Sequence, residues 1–184
     1  MSRLNVQNLE SAPVEALPHL RQYIKTSPTG KLLNLHGAMA SAPIVLEMYA
    51  RMRNTIEEFG ALDGRAQWAA MLAVAVVNGS AYSATLYAGL GRRYGLTSEQ
   101  IQDIRNGVPT GDDALDAIVA VAREAAASHG RVALPTWNEA LAAGWSEKQL
   151  GEHFAYFALA LFIDYFVNYG EVENDLRVPV EAKS

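Results

Sequence analysis

Asn78-Gly79-Ser80-Ala81-Tyr82-Ser83-Ala84-Thr85-Leu86-Tyr87 joins a helix break to a helix with a sorted face. Asn78-Gly79 interrupts an apolar run, and Ser80 is a residue type that opens helices by capping the first free N–H groups. From there Ser80, Ser83 and Tyr87 fall on one side of a helix at spacings of three and four, with Leu86 and Leu90 adjoining. The run before the break has its own start signal in Asp63 and carries Trp68, Met71, Leu72, Val74, Ala75, Val76 and Val77. Two successive helices with a tight turn between them are therefore the centre of the pattern.

Helical signals continue in both directions and almost nothing alternates like a strand, so an all-α fold is expected. Pro43 sits near a helix start, and Ile44, Leu46, Met48, Met52, Ile56 and Phe59 populate that helix until Gly60 closes it. The motif helix ends at Gly95. Thr97-x-x-Gln100 is then a capping box for a short helix stopping at Asn106-Gly107. Residues near Asp112 to His129 form another helix, closed by Gly130. Thr136-x-x-Glu139 reads as a further box, for a helix ending at Gly144, and Ser146-x-x-Gln149 opens a long final helix toward Tyr169. Residues 1–30 are expected to be an N-terminal helical segment, with a helix around Pro13 to Lys25 and a turn at Thr26-Ser27-Pro28-Thr29-Gly30. Residues 31–180 form the helical domain, and no linker rich in Pro, Gly or Ser divides the chain.

The 184 residues, 50% of them apolar, supply one domain with a substantial core. The balance of 15 Lys and Arg against 20 Asp and Glu leaves no basic block, which argues against nucleic acid as a partner. The doublet Arg92-Arg93 stands at a helix end, where the macrodipole favours cations. The two short capped segments at 97–106 and 136–144 do not make a DNA reader, because Glu99 and Asp103 place negative charge on the candidate recognition helix. The opening residues Met1 to Gln7 have no apolar core or cleavage signature, so a cytoplasmic protein is expected. The apolar stretches Ala69 to Val77 and Phe157 to Ile163 fall short of the ~20 residues that span a bilayer, so no membrane partner is expected.

From Leu32 to Pro179 the chain resembles the alkylhydroperoxidase D / carboxymuconolactone decarboxylase family. Ala73 to Tyr94 is similar to the family's apolar helix running into Asn-Gly-Cys-x-Tyr/His-Cys, followed by the phrase Gly95-Leu96-Thr97-Ser98-Glu99-Gln100-Ile101. Phe162-Ile163-Asp164-Tyr165-Phe166-Val167-Asn168 and Glu173-Asn174-Asp175-Leu176 resemble the closing segment, with Asp164 and Asn168 standing where relatives often show Asn and His. Redox-active members carry a Glu, eleven residues, a Cys, two residues, a Cys, three residues and a His. Those slots here hold Trp68, Ser80, Ser83 and Tyr87. The resemblance implies an AhpD-like helical bundle in a single domain, a small-molecule ligand, no cofactor, and a homo-oligomer such as a dimer, trimer or hexamer.

Physical chemistry states what the replacements remove. A thiolate attacks peroxide because sulfur is polarizable and ionises near neutral pH; a serine hydroxyl does neither and forms no disulfide. Trp68 offers only an indole N–H donor, and a tyrosine is a poor base at pH 7. With no cysteine anywhere in the chain, no resolving thiol exists either. An engineered knockout would have left the glutamate and histidine in place, so loss of all four positions reads as divergence. Lactone decarboxylases of the family also lack the cysteine pair.

Trp68, Ser80, Tyr82, Ser83 and Tyr87 are the candidate substrate-binding residues, shaping an apolar pocket whose hydroxyls and indole N–H orient a ligand. Alternatively Ser80 merely caps a helix, Ser83 is a small packing residue, and Trp68 and Tyr87 fill space. Asp164, His153 and Tyr87 are the candidate catalytic groups. Asp164 lies amid Phe162, Ile163, Tyr165 and Phe166, so it must be paired, face a cavity, or sit at a subunit seam. His36 and His153 lie in apolar helical stretches, whereas His19 and His129 read as surface and helix-end residues. No metal site is expected, because Glu152-His153 has no companion at ligand spacing.

Two functions follow. One is a carboxymuconolactone decarboxylase-like protein without the CxxC motif, binding or converting a small organic acid or lactone by lyase- or isomerase-type chemistry. The other is an inactive oligomeric binding or scaffold protein whose ancestral site is packed shut. Space around Ser80, Ser83 and Tyr87 separates them.

Overall fold

The computed structural model of the protein describes residues 2–27 and 30–176. Pro28 and Thr29 of the expected turn, and 177–180 at the end of the expected domain, lie outside the described residues. The described residues contain no strand. They form a 3-10 turn at Val14–Ala16 and the helices α1 (Leu17–Thr26), α2 (Asn34–Met39), α3 (Pro43–Phe59), α4 (Gly64–Val77), α5 (Ala81–Arg93), α6 (Ser98–Asn106), α7 (Asp113–Ala127), α8 (Leu134–Ala142) and α9 (Glu147–Tyr169).

α4 is the central helix, packed against α5, α6, α7 and α9. Its sequence dictates that place, since Met71, Leu72, Ala73, Val74 and Ala75 are all buried and a helix apolar on every side belongs inside. Alanines at 66, 69, 70, 73 and 75 keep its profile thin and let neighbours approach closely. Truncating Leu72 there would cost about 2–5 kcal/mol. The N-terminal segment shares this core, with Ala16, Leu20 and Tyr23 buried. It also pins α2: the Gln7 N–H donates to the Gly37 carbonyl at 3.0 Å. A Cβ on Gly37 would stand 2.6 Å from the Gln7 oxygen, so only glycine admits that stretch of chain.

The helix starts follow their caps. Asp63 accepts from the Ala66 N–H, and Thr97–Gln100 and Ser146–Gln149 close reciprocal capping boxes. α8 differs from the sequence expectation. It begins at Leu134, two residues before Thr136, with Pro135 in its first turn and no side-chain cap on Ala133. Proline's fixed φ preorganises that first turn, and the Ala133 N–H is satisfied from α7 by the Glu124 carboxylate at 3.0 Å. α9 also departs from expectation, being long and apolar enough by composition to cross a membrane. It packs on α3, α4 and α5 and buries Asp164 completely, as an internal helix of a folded core does.

After α9 the chain doubles back. The Asp175 carboxylate accepts from the Asn34 N–H at 3.0 Å and from the Tyr82 hydroxyl at 2.8 Å, and the Glu173 carbonyl accepts from the Asn34 side chain at 3.0 Å. The closing segment thereby ties the start of α2 to the motif helix α5.

Candidate functional site

The turn between α4 and α5 builds the site. Gly79 adopts the left-handed φ of 63°, its N–H donates to the Val76 carbonyl at 3.2 Å, and the Ser80 N–H donates to the Ala75 carbonyl at 2.9 Å. This pair of bonds is the Schellman ending, which favours glycine at the left-handed residue. It delivers Ser80 as the N-cap of α5, with its Oγ accepting the Ser83 N–H at 3.4 Å and donating to Ser83 Oγ at 2.9 Å.

α9 crosses behind this turn and brings Asp164 to it. Asn78 Nδ2 donates to Asp164 Oδ2 at 2.9 Å, linking positions 86 residues apart. Asp164 Oδ1 has no hydrogen-bond partner. Burial pushes the Asp164 carboxyl up to about 6, while the neighbouring Ser83 hydroxyl and the Asn78 hydrogen bond pull the other way by favouring the ionised form. The Tyr87 hydroxyl lies beside Ser83 and within the field of Asp164, and burial raises its pKa well above the ordinary tyrosine value. It completes no well-formed hydrogen bond, and neither does the indole N–H of Trp68. The Trp68 and Tyr87 rings stand 6.0 Å apart at 34°.

Ser80, Ser83, Tyr87 and Asp164 are 1%, 0%, 1% and 0% exposed, which leaves no solvent-filled space against them. Trp68 is half-buried and forms the outer wall. A cleft of about 350 Å³ lies nearby at the surface, bordered by Gly79, Ala81, Val167 and Asn168, which flank Ser80 and follow Asp164.

Four of the expected site residues, Trp68, Ser80, Ser83 and Tyr87, therefore gather with Asp164. Tyr82 plays a different part: its hydroxyl accepts the Leu35 N–H at 3.3 Å and donates to Asp175, so it tethers α5 to α2. His153 is eleven residues before Asp164 on α9, about 16 Å along the axis, and packs by Phe157 instead. Burial lowers its pKa to about 4. Asn168 is exposed and donates to the Asn78 carbonyl at 3.1 Å. Asn78 is the member that sequence spacing missed. Its only trace was a turn residue, and its partner lies on a remote helix. His36 belongs to a separate buried group, stacked 4.2 Å from the Tyr23 ring with Tyr49 alongside. Burial lowers its pKa to about 3. Among the described residues no three His, Asp or Glu side chains converge as a metal site.

No family model matches the chain, and no curated protein sequence matches it significantly. Solved structures do match. An alkylhydroperoxidase AhpD core structure, of an uncharacterized peroxidase-related protein from Ralstonia eutropha JMP134, aligns with a TM-score of 0.81 at 13% identity, covering 95% of this chain and 92% of that one. A cysteine-to-alanine variant of the debrominase Bmp8, in complex with 2,3,4-tribromopyrrole, aligns with a TM-score of 0.76 at 15% identity over 94% and 91% of the two chains. The apo debrominase gives 0.70 at 15% identity over 88% and 84%. The fold is AhpD-like and all-α, and this chain carries that fold with no cysteine.

Proposed function

We propose that this protein is a divergent relative of the alkylhydroperoxidase D / carboxymuconolactone decarboxylase group that binds a small molecule at the Asp164–Ser83–Tyr87 cluster and acts on it without thiol chemistry. The observation that carries this reading is Asp164: fully buried, one oxygen held by Asn78 and the other unpartnered among hydroxyls. Burying a carboxyl destabilises a fold, and a site closed only for packing would be better served by an apolar side chain. A carboxyl poised near pH 6 is suited to taking and returning a proton. Ser80 and Ser83 hold its surroundings polar, Tyr87 supplies a donor, and Trp68 is the wall that swings to admit the ligand. The expected ligands are lactones, small organic acids and related rings. Capture of a brominated pyrrole by a debrominase of this fold supports the small ring.

The near-zero exposure of Ser83, Tyr87 and Asp164 favours a second reading, in which the site stays shut and the protein serves as an oligomeric binding or scaffold protein. Phe154, Tyr165 and Tyr169, exposed along α9, would then contribute to the seam between copies.

A thermal-shift screen with lactones, lactams, aromatic acids and hydroxy acids decides between them. A ligand at 100 times its Kd adds about 2.7 kcal/mol of stability. For a chain of this size that raises the midpoint by roughly 5–11 °C. A shift that Trp68→Ala or Tyr87→Phe abolishes supports the first reading. Silence across the panel, together with a defined oligomer by analytical ultracentrifugation, supports the second.

A further inference from the structure

Resting on the small-molecule reading above and narrowing its ligand class, we infer that the ligand is an uncharged ring carrying an N–H or O–H donor next to a carbonyl acceptor, as in a lactam, and that of the ligands expected there the carboxylate anions are excluded. Three polar atoms in the cluster lack partners, and their polarities are mixed: Asp164 Oδ1 accepts, the Trp68 indole N–H donates, and the Tyr87 hydroxyl donates. The complement is a molecule offering one donor and at least one acceptor. A plain lactone satisfies only the two donors and leaves the carboxylate bare. A lactam satisfies all three.

Charge gives an independent argument. The groups acting on Asp164 are Ser83 and Asn78, both neutral, and those acting on Tyr87 are Asp164, Tyr49 and Ser83. Among the described residues, no lysine, arginine or histidine acts on Asp164 or Tyr87 to balance a second negative charge. An organic acid anion placed there would meet the Asp164 carboxylate in a site that excludes water, where like charges repel strongly. The proton state of Asp164 makes this pH-dependent: ionised at pH 8 it demands a donor, and protonated at pH 5 it supplies one.

The test is a matched set of planar probes, 2-pyridone, 2-pyranone and benzoate, titrated by calorimetry at pH 8 into the wild-type protein and Asp164→Asn. 2-Pyridone should bind about tenfold more tightly than 2-pyranone, the value of one well-formed hydrogen bond to a charged acceptor, and benzoate should not bind. Asp164→Asn should shrink the pyridone preference to less than about threefold while leaving 2-pyranone bound, a change of ratio that a merely structural Asp164 would not produce. The preference should also fade at pH 5. Benzoate or 2-pyranone binding as tightly as 2-pyridone, with loss of binding in Tyr87→Phe, would overturn the ligand class while leaving the site reading standing. Failure of every probe here and in the wider screen would overturn both.

Discussion

Replacing Asp164 by Asn should make the stability difference between variant and wild type depend on pH, by an amount the structure sets. The Asp164 carboxyl is raised from 3.8 to about 6 in the folded protein. Between those values the folded state holds a proton that the unfolded chain has released, so stability falls as pH rises. Above pH 6 the full penalty is in place, about 3 kcal/mol for a shift of roughly two units. Below pH 4 it is nearly gone. Asparagine keeps a carbonyl oxygen for Asn78 and cannot ionise, so the variant lacks the penalty at every pH. Its new amide N–H groups add a constant cost that does not vary with pH.

Subtracting the two melting curves cancels every other titrating group. Relative to wild type, Asp164→Asn should gain about 2 kcal/mol between pH 4 and pH 8, or roughly 4–8 °C in Tm for a chain of this size. Calorimetric or circular dichroism melts at half-unit steps would trace the change, with its steepest part between pH 4 and 6. A difference that stays flat across that range would refute the reasoning, because it would mean that the carboxyl ionises in the fold as readily as in water.

Tyr87→Phe removes a buried hydroxyl with no partner, so chemical denaturation should show it neutral or stabilised by up to about 1 kcal/mol; a loss above that would mean the hydroxyl is bonded. Ser80→Cys with Ser83→Cys should form a disulfide under mild oxidant, since the two Oγ atoms are 2.9 Å apart, yet consume no peroxide, because Trp68 and Tyr87 supply no base. Thiol titration and a peroxide assay measure the two halves, and turnover would sink the account of the relay. His36 and His153, lowered to about 3 and about 4 by burial, are neutral in the fold and protonate in the unfolded chain below pH 6.5. Stability from each is lost as pH falls, by about 2 kcal/mol at pH 5, so His153→Phe should flatten the acid limb of the stability profile, as read by urea titration from pH 7 to 4.5. Asp175→Ala releases Tyr82 and the Asn34 N–H together and should lower stability by about 1–3 kcal/mol, with faster hydrogen exchange at the start of α2 as the local signature.

The helices were legible because each carries its start and stop in a few adjacent residues: Asp63, the Asn78-Gly79 break, Thr97 with Gln100, Ser146 with Gln149. α8 shows the limit. Thr136 and Glu139 match the capping-box spacing, but Pro135 and a carboxylate from α7 fix the start earlier, and the second of these is a tertiary contact. The candidate site divides in the same way. Ser80, Ser83 and Tyr87 share a face by arithmetic on one helix, and Asp164 drew notice as a charge among aromatics. That Asp164 meets Asn78, or that Tyr82 turns away to Asp175, depends on bonds spanning 86 and 93 residues, which leave no periodic mark in the chain. The stacked Tyr23, His36 and Tyr49 group went unread for the same reason, although His36 in an apolar stretch was its signal.

The four replaced positions and Asp164 make sense together in terms of polarity. Glutamate, two cysteines and histidine need water or one another to change charge, whereas tryptophan, two serines and tyrosine stay neutral at any physiological pH. With Trp68, Ser80, Ser83 and Tyr87 on α4, α5 and the turn between them, the carboxyl on α9 is the group in the cluster whose charge changes near neutrality. Its surroundings are then fixed in polarity, with the Ser83 hydroxyl beside Asp164. The turn between α4 and α5 thus presents the cluster, and α9 holds its titrating group. That placement separates the small-molecule reading from a site closed only for packing, which would have no physical reason to hold a fully buried carboxyl with a free oxygen beside two hydroxyl side chains.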